Sequence, residues 1–204
     1  MFYDHLTEAT AGNCTNGFCL APNFPITAKV LDVLDGDTLR CAIRSPITGS
    51  LVSITVRLAG IDTAETHARR EAEHPELEKS LGIITRLYVS WLLGAPVGLV
   101  DLPDTENATS RKDVAQMFAD NRDIVFVTPR LSVCSKIATT YDSFGRVVAD
   151  VSSAYGHFRG LAPGSSLSSL LLSIGAATPF SKQKHDWTKE EIEGAVARMR
   201  ACLE

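Results

Sequence analysis

Apolar residues recur at every second position through three early stretches of the chain. Ile26, Ala28 and Val30 alternate with Thr27, Lys29 and Leu31; Leu39, Cys41 and Ile43 alternate with Arg40, Ala42 and Arg44; Ile54, Val56 and Leu58 alternate with Thr55 and Arg57. A period of two marks strands with one face toward a core. Asp35-Gly36-Asp37-Thr38 and Ser45-Pro46-Ile47-Thr48-Gly49-Ser50 separate the stretches and are rich in turn residues, so the three read as a β-meander. The period then lengthens. Leu77, Leu81, Ile84, Tyr88, Trp91 and Leu92 share one helical face, with Pro75 at the first helical position and Gly94 just past the end. Residues 95–123 are looser, and within them Ser110-Arg111-Lys112-Asp113 resembles a capped helix start ahead of Val114, Met117 and Phe118. Ile124 to Val127 and Arg146 to Val151 read as two further strands. Ser165-Ser166 caps a helix carrying Leu167, Leu170, Leu171 and Ile174, closed by Gly175. Thr188-Lys189-Glu190-Glu191 is a capping box, followed by a stripe of Ile192, Ala195, Val196, Met199 and Leu203.

Three strands, a helix, two strands and two helices predict a mainly β fold with helices, of the α+β class. The expected architecture is a five-stranded, partly open barrel of the OB-fold type with helices packed on it. Residues 1–23, rich in Gly, Asn, Thr and Pro without a sustained period, read as an N-terminal arm; residues 24–204 read as the domain, with 95–123 as an insertion. A chain of 204 residues accommodates one such domain with extensions, and 45% hydrophobic against 22% charged residues supports a folded core. The start, Met1-Phe2-Tyr3-Asp4-His5, lacks a basic region followed by an apolar one, so no leader is read there. Leu81 to Val100 and Leu167 to Ala177 are the most apolar stretches, and both are too interrupted to span a bilayer. The default expectation is a soluble, intracellular monomer with no membrane partner. Cys14, Cys19, Cys41, Cys134 and Cys202 are odd in number, so no disulfide framework is read; Cys14 and Cys19 are either two ordinary thiols, a local disulfide or half of a metal site.

A net charge of −4 argues against a broad cationic surface for gripping duplex DNA. It leaves room for a local positive site, because a divalent ion and two arginines set the field where they stand. The candidate acids are Asp37, in the first turn, and Asp62, after the third strand. Calcium takes carboxylate, carbonyl and water oxygens. Two aspartates plus a carbonyl would leave positions open for substrate and water. Each aspartate taken singly also reads as an ordinary turn residue. Glu65, three residues after Asp62, is a carboxylate that can sit beside a cation and take a proton from water; alone it reads as a surface glutamate. Arg57 lies in an otherwise apolar strand, where a guanidinium needs an anion, a wet cleft or a neighbouring aspartate. Arg146 follows Phe144-Gly145 at the start of a strand and reads either as a phosphate ligand or as an edge-strand charge. Two guanidinium forks can hold a phosphate and balance the charge of its five-coordinate transition state. His67 and His74 lack convincing ligand spacing and read as surface histidines; Lys182, Lys184 and His185 read either as contacts to a nucleic-acid backbone or, the preferred reading, as a solvated loop.

The order and spelling of Asp35-Gly36-Asp37-Thr38, of Arg57-Leu58-Ala59-Gly60-Ile61-Asp62-Thr63-Ala64-Glu65-Thr66 and of Tyr141-Asp142-Ser143-Phe144-Gly145-Arg146 resemble the thermonuclease (staphylococcal nuclease-like) family. The resemblance runs from about Ile26 to the C-terminus. It implies the five-stranded barrel and calcium-dependent hydrolysis of DNA and RNA to 3′-phosphate ends. It further implies Ca2+ held by Asp37, Asp62 and the backbone carbonyl of Thr63, Glu65 as general base, and Arg57 and Arg146 as phosphate ligands. Ala64 stands where the family usually has proline, Ser143-Phe144 where it often has Lys-Tyr, and Phe180 where it often has an active-site tyrosine. These departures imply a weaker grip on phosphate. Phe144 and Phe180 either stack on bases or pack in the core. The reading is a metal-dependent endonuclease acting on DNA and/or RNA, single strands preferred. The alternative is a non-catalytic OB-fold module that binds single-stranded nucleic acid or protein.

Overall fold

The alternating stretches pair into a barrel because their apolar faces have only one another to cover them. The structure, a computed structural model, describes residues 15–16, 20–45, 47–100, 105, 107–120, 124–131, 140–153, 165–181 and 183–203. β1 (Thr15–Asn16) is followed by the meander of β2 (Ile26–Asp35), β3 (Thr38–Arg44) and β4 (Leu51–Leu58), then by β5 (Ile61–Thr63), β6 (Ile124–Pro129), β7 (Val147–Ser153) and β8 (Ala177–Pro179). The helices are α1 (Pro75–Leu92), α2 (Arg111–Asp120), α3 (Leu167–Ser173) and α4 (Lys189–Ala201). The strands run β4-β3-β2-β6-β7, and a parallel pairing of β7 back onto β4 closes a five-stranded OB-fold-type barrel. Register shifts between Val30 and Asp32 and between Val33 and Asp35 coil β2, as bulges do where a barrel bends.

Val33, Leu39, Ile43, Val56, Leu58, Val127, Ala149 and Val151 fill the interior, and α1 lays Leu81, Ile84, Leu87 and Tyr88 into the same core. Each valine, leucine or isoleucine removed from water contributes roughly 1.5–3 kcal/mol. Helix α1 starts at Pro75 and ends before Gly94, whose φ of 98° stops it. The Ser166 and Thr188 caps form as the sequence predicts, the latter as a full capping box with Glu191.

Three features differ from the periodic reading. The Lys29 and Leu31 side of β2 is buried, not wet, because α2 from the 95–123 segment covers β2. Lys29 Nζ donates to the Ala119 carbonyl at 3.2 Å, at the negative end of α2, and Arg111 at its other end donates to Asp32. β5 and β8, each three residues long, pair with one another outside the barrel sheet. From the N-terminal segment, β1 pairs with β4 and Leu20 is buried, with its carbonyl accepting from Thr140 Oγ1 at 3.1 Å. Among the described residues no helix is long and apolar enough to cross a membrane. Cys14, Cys19, Cys134 and Lys182 lie outside the described residues.

Candidate active site

Register brings the charged residues together. β2 and β3 turn through Gly36-Asp37, and the β3–β4 ladder sets Thr38 opposite Arg57. The guanidinium of Arg57 therefore stands beside the Asp37 carboxylate. The parallel β4–β7 closure pairs Val56 with Val147 and Arg57 with Val148, which lands Arg146, one residue before β7, on the same side. β5 follows β4 after a turn at Gly60 (φ 76°) and returns Asp62 to the Arg57 guanidinium. β8 pairs with β5, and Phe180 N donates to the Gly60 carbonyl at 2.9 Å. The outcome is one cavity of about 420 Å³ lined by Asp37, Arg57, Asp62, Thr63, Glu65 and Arg146. Phe144 and Phe180 are also at its wall, as are Asp35 and Lys184.

Asp37 is the most fixed acid. Its Oδ2 accepts from Thr63 N at 3.0 Å and Thr63 Oγ1 at 3.1 Å, and its Oδ1 accepts from Thr38 Oγ1 at 2.9 Å. Its own carbonyl accepts from Leu58 N at 2.8 Å. Arg57 bridges Asp37 and Asp62 and also donates to the Ile61 carbonyl at 3.1 Å. Burial lowers the Arg57 pKa, Asp62 raises it and Arg146 lowers it; a guanidinium remains charged throughout. Both readings of Arg57 thus hold at once: it is ion-paired to neighbouring aspartates and it faces the cavity.

Arg146 is oriented by Asp142. One Asp142 oxygen accepts the backbone N–H of Phe144 and of Arg146, each at 2.9 Å, and the other accepts Arg146 Nε at 2.6 Å. Gly145 turns the chain at φ 75°. The Phe144 ring lies 5.2 Å from the Arg146 guanidinium carbon and is 81% exposed, so it is not core packing. Phe180 is also exposed, and both rings border a second, mostly apolar groove beside the first, with Leu58, Leu131 and Val148.

The loop that carries Glu65 is held against α1 through a glycine. A Cβ on Gly82 of α1 would stand 2.3 Å from the Glu65 carbonyl oxygen and 2.8 Å from that of Ala64, so α1 and this loop touch backbone to backbone. Gly36, in the turn before Asp37, lies close under side chains instead: a Cβ there would meet the Thr85 methyl at 2.7 Å and Thr63 Oγ1 at 3.0 Å. The Glu65 side chain pairs with Lys184. Thr66 Oγ1 donates to Asp35 Oδ1 at 2.8 Å, tying the loop to the end of β2.

Asp37 and Asp62 flank the Arg57 guanidinium, one on each terminal nitrogen, and both offer carboxylate oxygen to the cavity. That donor chemistry fits a hard divalent ion. Among the described residues no group of three or more His, Cys, Asp or Glu stands ready to hold a metal, so carbonyl, water and substrate oxygens would complete the shell. Burial pushes the Cys41 thiol up to about 12, which removes it as a nucleophile.

Several contributors receive no role from sequence alone: Asp35, Asp142, Gly82 and the Arg69–Glu78 pair described below; Lys184 reads there as solvated loop in preference to a nucleic-acid contact. A glycine inside an amphipathic helix, costing about 1 kcal/mol against alanine, is the signal that could have flagged Gly82. No protein-family model matches the chain, and no curated protein matches it either.

Proposed function

We propose that the chain is a metal-dependent phosphodiesterase that cleaves DNA and/or RNA, single strands preferred, and leaves 3′-phosphate ends. The observation that carries this reading is the convergence of Asp37, Asp62, Glu65, Arg57 and Arg146 on one open cavity. Two acids aimed at one cation position, a third acid beside it and two guanidinium groups match what phosphoryl transfer needs.

Asp37, Asp62 and the Thr63 carbonyl would hold Ca2+. When bound, such an ion supplies Lewis-acid polarisation of a phosphate oxygen and offsets its charge. Arg57 and Arg146 bind the remaining phosphate oxygens and stabilise the charge that grows in the transition state. Glu65, at the cavity edge, takes a proton from water as the water oxygen bonds to phosphorus. The bond from phosphorus to the 5′ oxygen breaks, and that oxygen leaves with the electron pair and takes a proton from solvent. Phe144 and Phe180 offer exposed ring faces to unpaired bases, which favours single strands.

Digestion of plasmid DNA and of RNA with calcium, and again with a chelator, tests the reading. Cleavage only with calcium, abolished by Glu65→Gln, is expected. Equal cleavage in both conditions would reject the metal role. Binding without any cleavage over hours would instead assign a non-catalytic module.

A further inference from the structure

Lys184 sits in the segment between β8 and α4, a stretch that reads from sequence as solvated loop in preference to a nucleic-acid contact. Its ammonium pairs with the Glu65 carboxylate, and it lines the main cavity with Arg57 and Arg146. The side chain is 59% exposed, so no packing forces it there.

The backbone beneath it is anchored with unusual care. Arg69 Nε and Nη2 donate to the two Glu78 oxygens at 2.6 and 2.7 Å, and the Glu78 side chain is only 3% exposed. The hydrogen bond from Glu78, its largest influence, raises the Arg69 pKa. The same Arg69 Nη2 donates to the His185 carbonyl at 2.8 Å. Glu73 N donates to Asp186 Oδ1 at 3.2 Å, and the neighbouring Trp187 is buried. One guanidinium therefore fastens α1 and the loop after Glu65 to the residue next to Lys184. Of the fastened segment, Lys184 is what faces the main cavity. Buried bidentate pairs are costly to assemble and rigid once made; here the rigidity fixes a lysine against a candidate base.

Resting on the phosphodiester reading of the cavity, we propose that Lys184 is its third phosphate-binding cation. In the free protein Glu65 holds the ammonium. An entering phosphodiester group takes it, which both adds a contact and releases the Glu65 carboxylate.

The test is binding, not turnover. Anisotropy of a short fluorescent thymidylate oligonucleotide is measured in chelator across a salt series. Lys184→Ala is expected to reduce the slope of log affinity against log salt by about 0.7, the value for one phosphate contact on a single strand. Lys184→Arg is expected to keep the parent slope. Glu65→Gln is expected to tighten binding more when Lys184 is present than in the Lys184→Ala background. An unchanged slope, or equal gains in the two backgrounds, overturns the proposal. A reduced slope in a protein that never cuts supports it while refuting the nuclease reading; cleavage with an unchanged slope does the reverse.

Discussion

Gly82→Ala separates positioning from folding. The added methyl would lie 2.3 Å from the Glu65 carbonyl oxygen and 2.5 Å from its carbon, against ordinary contact from 3.4 Å upward. Both atoms are backbone, so the loop must retreat by about 1 Å rather than a side chain rotating away. Alanine in a helix interior gains about 1 kcal/mol over glycine. Overpacking at the contact costs about 1–3 kcal/mol. The net change in unfolding free energy should therefore fall between zero and a loss of about 2 kcal/mol, read by urea denaturation. The effect on rate should be larger. A misplacement of about 1 Å of a reacting group costs on the order of 100-fold. Arg57 and Arg146 sit on other segments, so KM should move little while kcat falls. Single-turnover cleavage of a short oligonucleotide with calcium reads this split. A variant with kcat within twofold of the parent would refute the claim that Gly82 sets the position of Glu65.

Arg57→Met should abolish cleavage, by roughly 100-fold or more, yet raise calcium affinity about tenfold, because the guanidinium and the ion share Asp37 and Asp62. Calorimetric titration showing weaker calcium binding would contradict this. Arg69→Met strands the buried Glu78 carboxylate and should cost about 3–5 kcal/mol in urea unfolding, with most of it recovered in Arg69→Met with Glu78→Met. Burial pushes the Glu191 carboxyl up, but the Thr188 N–H and His185 outweigh it and hold it below its ordinary value. A depressed carboxylate stabilises the fold in full above the unfolded pKa of about 4.3 and loses that contribution as pH falls from there through the lower pKa of the folded state. Glu191→Gln should therefore cost a few tenths of a kcal/mol, no more than about 1 kcal/mol for so exposed a side chain, at neutral pH and less at pH near 3, measured by thermal unfolding.

The barrel strands and the capped helices were legible because their signals are local. Alternation in β2 to β4, the Thr188 box and Pro75 at the head of α1 each lie within a few residues of sequence. β5 and β8 are too short for a period to register, and their pairing joins residues more than a hundred positions apart. The burial of Lys29 was not legible, because an apolar-polar alternation looks the same whether the polar side meets water or a helix. In the site, Asp37, Arg57, Asp62, Glu65 and Arg146 could each be named from local spelling, but their common cavity follows from the β3–β4 register and the parallel closure of β7 on β4. Lys184 reads from sequence as solvated loop in preference to a nucleic-acid contact because what distinguishes it from any surface lysine is the buried Arg69–Glu78 pair beneath it, a tertiary fact.

Kinetics of Glu65→Gln, Arg146→Ala and the double variant on a single-stranded oligonucleotide with calcium test most directly whether these groups act together on one phosphate. Each single change is expected to lower kcat/KM by at least about 100-fold, and the double variant to lose much less than the product of the two, as residues working on one transition state do. Near-full rate in either single variant would contradict the account.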